Sequence, residues 1–80
     1  MHERKKTIHM KICKVHGDYI QLNQLLKLEN IVSTGGEARQ LIEHGMVLVN
    51  GEIADAIRKK IRTGDRVEVS GEVLLVETDN

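Results

Sequence analysis

Eighty residues, 40% of them hydrophobic and 30% charged, are enough for one compact core but not two, since a chain this short buries only about 60% of the surface its unfolded form exposes. The formal net charge is zero at pH 7, so a global field cannot draw in a polyanion and any such partner must be held by a local patch. The single cysteine, Cys13, excludes an internal disulfide, and no run reaches the apolar core of a signal peptide or the roughly 20 residues of a membrane span. A cytoplasmic location with no membrane partner is expected.

Met1 to Lys6 is a charged lead-in. From Thr7 to Val15, Ile8, Met10 and Ile12 alternate with His9, Lys11 and Cys13, the period of a half-buried strand. His16 to Asp18 then reads as a turn. Leu22, Leu25 and Leu26 fall at i, i+3 and i+4, with Leu28, Ile31 and Val32 widening the stripe, which predicts a first helix over about 21–29 that stops at Asn30.

A second helix starts at a capping box, Thr34 with Glu37, and its core face is Ala38, Leu41 and Ile42. Gly45 stands where a left-handed residue ends a helix, and His44 lies in the last turn near the negative end of the dipole. Met46 to Ala54 predicts a hairpin around Asn50-Gly51, a pair suited to a type I′ turn. Thr63 to Asp65 is a further turn, Val67 and Val69 alternate with charged residues, and Ser70-Gly71 links them to "EVLLVE". The order predicts an α+β fold: an N-terminal strand, two packed helices, then an antiparallel hairpin and further strands. Phe and Trp are absent and Tyr19 is the sole aromatic, so Ile, Leu, Val and Met must fill the core.

The sequence offers residues for four kinds of chemistry. Gly35-Gly36 fits neither a Walker loop nor a dinucleotide fingerprint. A helix start with two such residues still presents open amides to a phosphate; equally, the pair would allow two helices to pack closely. His9, Cys13 and His16 match no zinc spacing, and only His9 and Cys13 share a strand face, so no metal is expected and Cys13 reads as a small buried or half-buried filler. No serine sits in a nucleophile elbow and no titratable pair has diagnostic spacing, so neither catalysis nor a cofactor is expected.

The fourth is the basic run "RKKIR", Arg58 to Arg62. If extended, it projects Arg58, Lys60 and Arg62 from one face about 6.6 Å apart, with Lys59 and Ile61 turned to the other. Such a row is either a solvated edge that protects a strand or a surface for phosphates. The acidic stretch that follows it and the capped, glycine-bearing helix start earlier in the chain favour the second. With one aromatic, base stacking cannot be the main device, which leaves contacts to the backbone of a folded RNA.

In this order the features resemble the S-four RNA-binding domain: "EARQLIEHG", then "VLVNGE", then "GDRVEV", within a match over about 20–69. The resemblance implies that two helices and the following hairpin present one RNA-binding face, with an added strand on each side at about 7–15 and 72–77. It implies a single non-catalytic, monomeric RNA-binding domain over 1–80 whose partner is structured RNA, ribosomal RNA or tRNA, and with it the ribosome, in ribosome assembly or translation. The expected contacts are Lys27, Thr34, Gly35, Gly36, Arg39, Arg58, Lys59, Lys60 and Arg62. The chain departs from the family pattern at Gly35, where an arginine is frequent; at Gln21 and Asn23, where a basic and an acidic residue are common; and at Ile57-Arg58, in place of a Pro-Ser pair. The alternative is a protein-interaction module whose basic surface docks an acidic partner.

Overall fold

The computed structural model describes residues 9–79; Met1 to Lys6, with Thr7 and Ile8 of the predicted first strand, lie outside the described residues. The elements are β1 (His9–Val15), β2 (Ile20–Gln21), α1 (Leu22–Leu28), α2 (Gly35–Glu43), β3 (Leu48–Val49), β4 (Glu52–Ile53), β5 (Lys60–Ile61), β6 (Arg66–Val69) and β7 (Glu72–Thr78). A five-stranded sheet has the order β1-β7-β6-β3-β4, and β2 with β5 forms a separate two-stranded ribbon. The fold is α+β, as the sequence predicts.

Both helices are short and are fixed at their ends by specific hydrogen bonds. Thr34 Oγ1 accepts the Glu37 amide at 3.1 Å, and the Glu37 carboxylate accepts the Ser33 amide at 2.7 Å, one residue earlier than a standard capping box. Each helix closes in a Schellman motif. At α1 the amides of Asn30 and Ile31 reach the carbonyls of Lys27 and Leu26, and at α2 those of Gly45 and Met46 reach Ile42 and Leu41. Asn30 (φ 59°) and Gly45 (φ 73°) supply the left-handed residue that each motif requires.

Leu22, Leu25 and Leu26 of α1, with Ala38 and Ile42 of α2, pack on the sheet's inner face against Val49, Val67, Leu74 and Val76. Two tight turns close the hairpins: Asn50-Gly51 with φ of 53° and 87°, and Ser70-Gly71 with 53° and 78°. Positive φ at both central residues is the type I′ requirement. No helix among the described residues is long and apolar enough to cross a membrane.

The first strand pairs with β7 in parallel, while the later strands pair antiparallel, as the sequence predicts for them. Its faces are the reverse of expectation: Met10 and Ile12 are 63% and 59% exposed, while Cys13 and Val15 are buried. Register explains the reversal. Cys13 lies opposite Val76 and Lys11 opposite Leu74, so they share the face that the helices cover, and Met10 and Ile12 fall on the open side with Val73 and Leu75. Lys11, on the covered face, reaches out to Glu29 at 3.1 Å. Burial, followed by hydrogen bonding and charge from Glu29, pushes the Cys13 thiol up to about 12.

Candidate nucleic-acid interface

The basic run is held against the start of α1. The Leu22 amide donates to the Lys59 carbonyl at 2.8 Å and the Asn23 amide to the Ile57 carbonyl at 3.1 Å. These carbonyls satisfy the first amides of α1, whose N-cap, Gln21, makes no side-chain cap. In the ribbon, Ile20 lies opposite Ile61 and Gln21 opposite Lys60. Ile61 is fully buried, so alternation sends Lys60 and Arg62 outward.

Only part of the expected row forms. Arg58 sits in the turn at 57–58, so two cations, not three, share the ribbon's outer face. Lys59 lines a shallow depression with Glu52 and Asp55. The missing member of the face is Tyr19: its ring centre lies 4.9 Å from Lys60 Nζ and 5.6 Å from Arg62 Cζ. In the sequence this tyrosine signals only a scarcity of aromatic side chains, not a place on the basic face. The only signal was its position directly before β2, and that means nothing until the partner strand is known.

Among the described residues, Arg58, Lys59, Lys60, Arg62 and Lys27 make no ion pair. Three other cations are compensated, Lys11 by Glu29, Arg66 by Glu68 at 3.2 Å and Arg39 by Glu43 at 3.0 Å; Lys14, on β1, makes no ion pair among the described residues. Arg39, an expected contact, therefore shares its charge with a neighbour one turn away.

The hairpin steadies the basic segment without pairing with it. Asp65 accepts the Arg62 amide at 2.8 Å and Asn50 Nδ2 at 3.0 Å, while Asn50 Oδ1 accepts the Arg66 amide at 2.9 Å. One side chain from the type I′ turn thus fixes the loop that carries Arg62.

In the last turn of α1, five residues or about 7.5 Å from its start, stands Lys27, exposed. The connection over 29–34 then leads to Thr34, Gly35 and Gly36 at the start of α2. A Cβ on Gly35 would meet nothing within 4 Å, and one on Gly36 only the Thr34 hydroxyl at 3.9 Å. Helix packing therefore does not require these glycines, nor does φ, which is not positive at either. Their amides belong to the first turn and have no intrahelical acceptor.

His9, Cys13 and His16 do not converge, and no group of three or more His, Cys, Asp or Glu among the described residues is placed to hold a metal ion. His16 instead pairs with Asp79 at 2.7 Å. The His16 ring and the Gly17 amide hold the Asp79 carboxyl below its ordinary range.

Residues 13–77 match the S4 domain family, the S-four module of the sequence resemblance. Small ribosomal subunit protein uS4 of Mesoplasma florum is 38% identical over 80 residues, covering 86% of this chain and 38% of that protein. The probable ribosome maturation protein RlbA of Bacillus subtilis is 37% identical over 54 residues, covering 68% of this chain and 76% of RlbA. The chain thus spans well under half of the length of this uS4 and about three quarters of RlbA. The solution structure of YbcJ from E. coli, described as revealing an αL motif involved in RNA binding, superposes with a TM-score of 0.63 at 28% identity over 96% of each chain. On its sequence match and its fold alike, the chain belongs to the S4 domain family.

Proposed function

We propose that this chain is a non-catalytic RNA-binding domain that docks structured RNA, ribosomal RNA or tRNA, in ribosome assembly or translation. The observation that carries the reading is the clustering of its unpaired cations: among the described residues the four of the run Arg58 to Arg62 have no carboxylate partner, while Lys11, Arg39 and Arg66 do and the unpaired Lys14 and Lys27 stand singly. An uncompensated cluster on a chain of zero net charge is a local phosphate surface of the kind a backbone-following module needs. Lys60 and Arg62 form its centre, Arg58 and Lys59 its margin, and Lys27 with Thr34, Gly35 and Gly36 a second contact beyond α1. Arg39 contributes only by exchanging Glu43 for a phosphate. The ribosomal names of uS4 and RlbA, and the RNA-binding motif of YbcJ, support the same class of partner.

The test is affinity capture from cell extract with and without ribonuclease, joined to cross-linking and sequencing of bound RNA. Recovery of ribosomal RNA or tRNA, lost on digestion, is expected. Partners that survive digestion with no cross-linked RNA would replace this reading with that of an acidic protein docked on the same surface.

A further inference from the structure

We infer that Tyr19, with Lys60 and Arg62 beside it, is a stacking site for one unpaired base of the bound RNA; the inference rests on the RNA-binding reading above. Beyond the contacts of Lys60 and Arg62 with its ring, the tyrosine has no structural task among the described residues. It is 38% exposed, it lies outside the hydrophobic core and the residues packed on it, and its hydroxyl makes no hydrogen bond among the described residues. Continuing the ribbon register by one residue beyond Ile20 and Ile61 sets Tyr19 opposite Arg62. Tyr19 and Arg62 then share the outward face with Lys60, whose ammonium is 4.9 Å from the ring centre.

The grouping has the chemistry of a base site. An aromatic face offers stacking to any base, and a guanidinium plane can cover a base or hold its phosphate. Contacts of exposed cations with an aromatic ring are weak, so a base can displace either one. The cations then remain next to the phosphates on each side of the stacked nucleotide. Because the chain carries this single ring, it holds one base and not a strand. The favoured target is a helix interrupted by a bulged or looped-out nucleotide, whose paired flanks meet the remaining cations.

Tyr19 is also the only tyrosine in a chain without tryptophan, so the native protein's ultraviolet emission reports on this ring alone. The probes are an RNA hairpin with one bulged adenosine and the same hairpin fully paired, titrated at fixed salt into the wild-type chain and into Tyr19→Ala and Tyr19→Phe. Tighter binding of the bulged hairpin is expected, with quenching of Tyr19 emission that the paired hairpin does not produce. Tyr19→Ala should lose roughly five- to 150-fold in affinity for the bulged RNA, the usual effect of removing one base-aromatic stack, and little for the paired one; Tyr19→Phe should keep the preference.

Equal binding of both hairpins, or an equal loss on both in Tyr19→Ala, would overturn the stacking site while leaving the RNA-binding reading intact. Failure of the wild-type chain to bind either hairpin or cellular RNA would overturn both. Quenching is read on the unaltered protein, so the test does not depend on how the variants fold.

Discussion

Replacing Lys60 and Arg62 together by alanine removes two cations that share one outward face and have no carboxylate partner among the described residues. Each phosphate neutralised by the protein contributes roughly 0.7 to 0.9 to the slope of log affinity against log salt. The double variant should therefore flatten that slope by about 1.4 to 1.8. Over a fourfold rise from 50 to 200 mM salt, this makes the loss of affinity roughly 7- to 12-fold smaller at the high end than at the low end. The assay is a fluorescence-anisotropy titration with a ribosomal RNA fragment at four or more salt concentrations. The control is Lys11→Ala with Arg66→Ala, which takes the same 12 basic residues to 10 against 12 acidic ones but removes cations already paired with Glu29 and Glu68. An unchanged slope in the first variant would refute the argument. So would equal flattening in the control, which would show that only net charge mattered.

Three further outcomes follow from the geometry. Gly35→Ala and Gly36→Ala meet no clash and should stabilise the chain to urea by a few tenths to about 1 kcal/mol each while weakening RNA binding; stabilisation with unchanged affinity would remove the α2 start from the interface. Asn50→Ala loses the bonds to Asp65 and to the Arg66 amide and puts alanine at φ 53°, so it should cost about 1 to 3 kcal/mol in the same urea experiment. Cys13, 1% exposed, should resist thiol-specific reagents at pH 8 until the chain unfolds. Because its folded thiol titrates near 12 against an ordinary 9.0, its contribution is fully present below pH 9 and is lost as pH rises from there, a loss that Cys13→Ala should abolish.

What could be read from the sequence was local. The start of α2, its end at Gly45 and the Asn50-Gly51 turn each depend on residues a few positions apart, and each formed as the local chemistry demanded. The strand His9–Val15 was visible as a strand, but not which side would be buried. Met10 and Ile12 compete with Cys13 and Val15 for the core, and only the pairing with β7 decides between them. The ribbon β2–β5 is two residues long on each side, too short for any period to register. Alternation alone therefore puts Arg58, Lys60 and Arg62 on one extended face, whereas hydrogen bonds from the start of α1 fold the first of them into a turn. For the same reason nothing local sets Tyr19 beside Lys60 and Arg62.

The parallel pairing of β1 with β7 also sets a timetable. His9 faces Glu72, 63 residues later by subtraction, and at roughly 5–20 residues per second of synthesis that is a wait of about 3 to 13 s. Both helices and the ribbon can begin to form during that interval, and the Asn50-Gly51 hairpin needs only Asp65 to Glu68 besides its own residues, all made before Glu72. The first strand is made before all of them and is the last to find its partner, with Met10, Ile12 and a full row of backbone amides and carbonyls open in the meantime. For a nascent chain, completing the sheet is the slow and vulnerable step, while the surface proposed to meet RNA is already built.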